Sequence, residues 1–244
     1  GYSFFPRNPT TFAYEYILKV PAQIFRAYGV TLFVTIVGTA IGLLMMSLFA
    51  YTLSRNEFRF RRPLAFFIFF TMLFNGGLVP WYILITQYLH LKNSVWALIV
   101  PALVTPWYVL LLRTYMSQLP TELFDAARID GASEWRIFFQ IVAPLSTPAL
   151  ATVGLFMVLG YWNDWWLALL FIDTPDLRPL QYMLYAILTN AQALAANPQT
   201  TGVSTPIATV RMAMAVLATG PAALAFLLVQ RYFIRGITIG ALKS

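Results

Sequence analysis

The residues of this chain that could do chemistry are few and unevenly placed. Positions 121–136 hold four acids (Glu122, Asp125, Asp130, Glu134) and two arginines (Arg128, Arg136) within sixteen residues, in a sequence otherwise almost bare of charge. Such an island suits charge-assisted hydrogen bonds to a protein partner, each worth about 1.5–3 kcal/mol. Two smaller groups combine amides with small or aromatic residues: Asn75-Gly76-Gly77 and Trp162-Asn163-Asp164-Trp165-Trp166. Rings beside an amide and a carboxylate suit sugar rings and hydroxyls at an outer gate; equally, the tryptophans suit an interfacial aromatic belt. Asn190, Gln192, Asn197 and Gln199 form a charge-free run of amides, which donate and accept together.

The machinery of an enzyme is missing from the sequence. It has no G-x-x-x-x-G-K-[ST] phosphate loop, and its only lysines are Lys19, Lys92 and Lys243. There is no nucleophile elbow, no H-E-x-x-H, no cysteine and a single histidine, His90, in a short turn. The chain is therefore read as a non-enzyme that binds no metal or cofactor of its own. Of its 244 residues 59% are apolar and 10% charged, with mean hydropathy +0.70. Soluble domains carry about 25% charged residues, so the expected fold class is an all-α, polytopic transmembrane helical bundle. With membrane spans expected, the net charge of +7 bears on sidedness rather than on nucleic acid.

Charge-free windows place the elements that must position these groups. Windows 27–54, 63–89, 93–112, 137–163 and 212–230 approach or exceed the roughly 20 residues a helix needs to cross the hydrocarbon. Five spans follow, at about 28–53, 64–88, 94–115, 145–171 and 206–231. Backbone groups in lipid must bond internally, so each is helical. Residues 1–26 are read as an external interfacial segment and 27–244 as the transmembrane domain, with a polar segment at 117–143 and an outer connection at 173–205. If the 121–148 island lies in the cytoplasm, ten of the sixteen Lys and Arg residues fall inside, including the tight Arg55–Arg62 cluster. Gly38-x-x-x-Gly42 in the first span lets helix backbones approach closely, either within the chain or against a partner. Asn75-Gly76-Gly77 followed by Pro80 breaks the second span. Such a break is a packing kink or, since irregular backbone is tolerated where it lines a cavity, part of a transport path together with Asn163 and Asp164.

Within the island the local pattern is helix, turn, helix. Thr121 is placed as N-cap, with Glu122 in the first turn. Leu123, Phe124, Ala127 and Ile129 give an apolar stripe, and Gly131 suits the left-handed position that ends a helix. Ser133 caps a second helix expected from Glu134 to about Val142, before Pro144.

The spacing Asp125-Ala126-Ala127-x-x-Asp130-Gly131-Ala132, nine residues from Gly131 to Ile141, then Pro144, resembles the EAA motif of membrane subunits (permeases) of binding-protein-dependent ABC importers. The carbohydrate-uptake, MalG-like branch is the nearest in pattern. Asp125 stands where that family usually has Glu, and Ala143 where Leu is common. The resemblance implies that Glu122, Asp125, Ala126, Ala127, Asp130, Gly131, Ala132, Ile141 and Pro144 couple the chain to an ATPase. It implies a second homologous permease (a heterodimer), two ABC ATPases that hold the ATP and Mg, and an extracytoplasmic solute-binding protein touching Asn190, Gln192, Asn197 and Gln199. It also implies a multi-pass protein of the bacterial cytoplasmic (inner) membrane that imports an oligosaccharide, with acidic polysaccharide fragments a substrate of related permeases. A sixth, N-terminal helix usual in the family is missing, and the numbered chain is read as truncated. The tail 235–244 resembles tails inserted between the ATPases, or is a frayed end. The rival classes are a secondary transporter or channel without ATPases, and a structural scaffold. The first would show inverted repeats and mid-membrane charges, neither of which is found.

Overall fold

The computed structural model describes residues 12–17, 21–196, 209–220 and 223, and every regular element among them is helical. In order these are α1 (Phe12–Ile17), α2 (Pro21–Ser54), α3 (Arg61–Leu73), α4 (Leu78–Ile83), α5 (Pro106–Met116), α6 (Glu122–Ile129), α7 (Glu134–Ile137), α8 (Ala143–Leu145), α9 (Thr147–Asn163), α10 (Trp166–Phe171), α11 (Leu180–Ala196) and α12 (Thr209–Gly220). Prolines open several of them: Pro21 begins α2, Pro106 begins α5 and Pro148 sits in the first turn of α9. There the missing N–H has no helical partner to lose.

The central element is α2, 34 residues long or about 50 Å. It is apolar on all sides, yet one stripe is buried: Ala27, Thr31, Thr35, Gly38, Gly42, Ser47 and Ala50 among larger residues. The stripe is marked by small size rather than by hydrophobicity, which is how helices recognise one another where the solvent is itself apolar. α5 and α9 pack along it, and α11 crosses one end. A Cβ on Gly38 would stand 2.6–2.9 Å from the Tyr161 ring, and one on Gly42 would stand 2.6 Å from the Leu103 carbonyl oxygen. Tyr161 cannot easily retreat, because its hydroxyl donates to the Ile99 carbonyl at 3.1 Å. The glycine pair thus serves packing within the chain.

Among the described residues only Pro21–Ser54 is an unbroken helix long and apolar enough to cross a bilayer; three further stretches pass that test only as bent pairs. Arg61–Leu73 and Leu78–Tyr88 meet at 113°, Val95–Ala102 and Pro106–Met116 at 47°, and Glu134–Leu145 and Thr147–Asn163 at 81°. The first bend agrees with the expected break of the second span, and the other two add to what the spans were expected to hold. The first falls at the Asn-Gly-Gly break, where Gly77 has φ 88°, a conformation that favours glycine. Asn75 Oδ1 fixes the turn by accepting from the Gly77 amide at 2.8 Å. The 81° bend lies at Ser146, between Pro144 and Pro148. Ahead of it the helix widens into a π turn over Phe138–Val142, a common accommodation next to a proline that clashes with the preceding turn. The expected span 145–171 is interrupted at Asp164, which separates α9 from α10. Pro21–Arg26 are the first turns of α2, so the expected boundary at 26 falls inside a continuous helix. Half of the last expected span, 206–231, and all of the tail 235–244 lie outside the described residues.

Two apolar clusters hold the chain. The larger joins α2, α5 and α9 around Met46, Leu112, Val153 and Phe171; the smaller joins α1, the start of α2, α11 and α12 around Ile24, Leu180 and Val210. Hydrogen bonds tie the second cluster to α2: Thr31 Oγ1 accepts from the Leu180 amide at 2.8 Å, and the Tyr28 hydroxyl donates to the Leu217 carbonyl at 2.6 Å. Gly42→Ala is expected to destabilise the folded chain by about 1–3 kcal/mol, because a backbone carbonyl cannot yield as a side chain would. A thermal unfolding midpoint in detergent equal to that of the unsubstituted protein would refute this packing.

Candidate coupling site

The charged island folds as α6, a tight turn and α7. The turn closes α6 with paired bonds from Ala132 N to Ala127 O at 2.9 Å and from Gly131 N to Arg128 O at 3.0 Å. This is the Schellman arrangement, and Gly131 takes its left-handed position with φ 75°. A Cβ there would meet nothing within 4 Å, so the demand for glycine is conformational and not a matter of bulk. Ser133 opens α7 by accepting from the Arg136 amide at 3.4 Å. Thr121 differs from expectation: its backbone is already helical and its side chain makes no cap bond. Its carbonyl instead accepts from Phe124 N and Asp125 N. The second helix also departs from expectation, since α7 passes into the π turn at Phe138.

The expected apolar stripe of α6 splits in two. Phe124 is 1% exposed and Ile129 86% exposed, because residues five apart lie about 140° apart around a helix. Ala127 is half-buried; Leu123, Trp135 and Phe139 join Ile129 at the surface. Glu122, Asp125, Ala126 and Asp130 are exposed, as is Pro144, while Ala132 and Ile141 are half-buried. The structure thus brings the residues from Glu122 to Ala132 into one helix and turn, with Ile141 and Pro144 further along on the π turn and α8.

Three residues outside the island complete the site. Arg128 Nη1 reaches Glu57 Oε1 at 3.1 Å and Asp125 Oδ1 at 3.6 Å, while its Nε and Nη2 reach Glu134 Oε1, each at 3.1 Å. The second oxygen of Glu134 accepts from the Tyr51 hydroxyl at 2.6 Å. Arg55, 9% exposed, lays its guanidinium 3.6 Å from the Phe124 ring centroid and 5.2 Å from that of Tyr51, a cation–π contact. Arg113 Nε donates to the Leu53 carbonyl at 3.2 Å, satisfying an orphan group at the end of α2. α6 and α7 are therefore clasped to the end of α2. A hydrogen bond from its own backbone amide, and then Arg128, hold the Glu57 carboxyl below the usual range. The hydrogen bond that Arg128 donates to Glu57 in turn raises the guanidinium further.

Glu57 is the only acid between Glu15 and Glu122, and it stands in the densest run of arginines. That isolation was a usable signal. Tyr51 and Arg55 gave none, since their roles rest on contacts across long sequence separations.

The other expected site residues lie elsewhere. Asn75, Gly76 and Gly77 are exposed at the α3–α4 break. Asn163 donates to the Leu159 carbonyl at 2.8 Å and accepts from Gln181 Nε2 at 3.3 Å. Asp164 Oδ1 accepts from the Trp166 and Leu167 amides and so caps α10. Among the described residues no hydrogen bond links these two breaks. Trp162 is buried, its Nε1 donating to the Ala218 carbonyl at 3.0 Å, while Trp165 stacks on Tyr185 at 4.6 Å. Asn190 and Gln192 are exposed on α11; Asn197 and Gln199 lie outside the described residues. Asn93, three residues after His90, takes φ 61°. Its side chain holds the Asp173 and Thr174 amides at 3.1 and 2.9 Å, beside a Lys92–Asp173 ion pair at 3.1 Å.

Residues 38–239 match the family of binding-protein-dependent transport system inner membrane components. The chain belongs to that family. Among its relatives is the polygalacturonan/rhamnogalacturonan transport system permease YtcP of Bacillus subtilis (strain 168), 37% identical over 97% of this chain and 84% of the relative. LplC of the same organism is 36% identical over 98% of this chain and 81% of its own. The arabinooligosaccharide permease AraQ of Halalkalibacterium halodurans is 31% identical over 99% and 82%. In structure the chain is similar to one from a crystallised bacterial ABC transporter involved in import of the acidic polysaccharide alginate. The TM-score is 0.82 at 29% identity, covering 96% of this chain and 83% of that one. The chain is thus a permease of an ABC transport family, and its island is the stretch that the EAA-like spacing marks.

Two outcomes test the clasp and its turn. Gly131→Ala should destabilise the permease by about 1–2 kcal/mol while Gly131→Asn costs less, since asparagine tolerates the left-handed region; equal unfolding midpoints for both would contradict this. Arg128→Gln should cost only about 1 kcal/mol, because the Glu57 and Glu134 side chains are each 56% exposed. The depressed Glu57 carboxyl contributes stability above its unfolded value of about 4.3, and that contribution is lost as pH falls through the lower folded value. Acid sensitivity of Arg128→Gln identical to that of the unsubstituted protein would remove Glu57 from the clasp.

Proposed function

We propose that this chain is one of two homologous permeases forming the path of an ATP-driven importer. In this reading it is a multi-pass protein of the bacterial cytoplasmic membrane, assembled as a heterodimer with two ABC ATPases and served by an external solute-binding protein. The ATPases supply ATP and Mg; nothing in the chain suggests nucleic acid as a partner. The observation that carries the reading is the clasped hairpin. Its inner side is fixed to α2 by Arg128, Arg55 and Phe124, while Ile129, Trp135 and Asp125 face outward. A surface this apolar with an acid at its edge fits a groove on a cytoplasmic partner. Force on α6 would pass through the Glu57–Arg128–Glu134 clasp to α2 and along α7 to α9.

The substrate class follows from the company the chain keeps. Permeases named for polygalacturonan/rhamnogalacturonan and arabinooligosaccharide transport and an alginate transporter support an oligosaccharide, with acidic polysaccharide fragments favoured. Asn75, Gly76 and Gly77 at the α3–α4 break, with Asn163 and Asp164 at the α9–α10 break, are the candidate path residues. Exposed Asn190 and Gln192, together with Asn197 and Gln199, are the candidate contacts with the binding protein.

The deciding experiment is transport by the assembled complex in proteoliposomes. Uptake of an oligogalacturonide should require the ATPase subunits, and loaded binding protein should stimulate ATP hydrolysis. Asp125→Ala should leave the permease folded while reducing both, as its carboxylate no longer meets a partner cation. Uptake without ATPases would replace this reading with a secondary transporter, and unchanged stimulation in Asp125→Ala would remove that residue from the docking surface.

A further inference from the structure

An apolar groove of about 410 Å³ runs along α2 to the start of α3, lined by Met45, Leu48, Phe49, Phe58 and Leu64. The hydroxyl of Thr52, its only polar neighbour, is spent on the Leu48 carbonyl at 3.0 Å. The groove therefore offers no free donor, and its occupant there is hydrocarbon. At the same end the turn after Phe58 carries Arg59, and Arg61 and Arg62 open α3. Arg59 and Arg62 are exposed; Arg59 lies over Phe60 and Arg61 binds the Asn56 side chain. Among the described residues none of the three has an ion pair, and the adjacent acid, Glu57, is bound by Arg128.

A second, polar cavity of about 90 Å³ also reaches Leu53; Arg55, Arg61 and Arg113 line it, together with Glu57, whose carboxylate is bound by Arg128. Arg55 is about nine-tenths buried against the Phe124 and Tyr51 rings, and among the described residues its Nε has no hydrogen-bond partner. Buried donors are normally satisfied, and an anionic oxygen in this cavity would supply an acceptor together with a counter-charge. Arginine is suited to phosphate in particular.

We infer that this corner of the permease is a site for an anionic phospholipid, with one acyl chain in the groove and the phosphate at the arginines. The inference rests on the proposed topology, which places the Arg55–Arg62 turn at the cytoplasmic leaflet. Four arginines (Arg55, Arg59, Arg61, Arg62) stand against one local acid, Glu57, which Arg128 already binds, and that excess of positive charge selects a net anionic headgroup over a zwitterionic one. Bound there, the lipid bridges α2 and α3 beside the clasp that holds α6.

Native mass spectrometry of the assembled transporter, released from nanodiscs of equal phosphatidylglycerol and phosphatidylcholine, reads the site directly and needs no transport activity. The expected result is phosphatidylglycerol retained over phosphatidylcholine, falling about tenfold or more in the Arg59→Gln/Arg62→Gln double variant. Arg59→Lys/Arg62→Lys should keep most of it. Filling the groove with Leu48→Trp should lower retention while the arginines stay in place. Equal retention of the two lipids overturns the site, and so does retention unchanged by both the glutamine and tryptophan variants. Displacement of the lipid by millimolar inorganic phosphate alone would reduce it to an anion pocket and overturn the acyl-chain assignment. ATP-dependent uptake is scored separately, so failure of the importer reading and failure of the lipid site remain distinct results.

Discussion

The close approach of other elements to the backbone of α2 is what the described structure depends on. Gly38 admits the Tyr161 ring and Gly42 admits the Leu103 carbonyl, at distances no other residue would allow. In a bilayer, burying one more apolar side chain gains little, since lipid is as apolar as leucine. Contact area between closely approaching backbones replaces that driving force. α2 therefore acts as a common axis, with α5 and α9 along its length and α11 at one end.

Polar contacts then fix what hangs from each end of this axis. Tyr28 and Thr31 bind the segments around α12 and α11 at one end. Tyr51, Arg55 and Glu57 hold α6 and α7 at the other. Each bond at the second end is modest, because its carboxylates are more than half exposed. Their value lies in geometry: one planar guanidinium meets three carboxylates and thereby sets the angle of α6 against α2. Phe124, seated under Arg55, supplies the apolar part of the same anchor.

The breaks in the other helices contrast with this axis. Asn75–Gly77, Ser146 and Asp164 each interrupt an apolar helical stretch. Asparagine and aspartate side chains accept the freed amides at two of them. The permease of the proposed importer thus combines one continuous helix with several jointed ones. The joints sit on the elements that line or load the path in that reading, and the rigid part receives the force.

Much of this was legible in the sequence because it is local chemistry. The all-helical class follows from a charge-poor, apolar composition, and the helix–turn–helix of the island from Gly131 and Ser133, while the cap expected of Thr121 did not form. The break at Asn75-Gly76-Gly77 follows from what glycine and proline do to a helix. The left-handed Gly131 needed no tertiary contact to foresee, since the turn itself demands it. Tertiary structure alone decided the rest. Whether Gly38 and Gly42 faced a neighbour in the chain or a partner depended on where Tyr161 and Leu103 came to lie. Asp164, open to several readings as a charged residue among tryptophans, became a helix cap once α9 stopped at Asn163. Glu57 and Arg128 lie 71 positions apart, so their pairing required α2 and α6 to be brought together first. Sequence patterns encode a residue's own backbone and its neighbours within a few turns; which distant group meets it is set by packing.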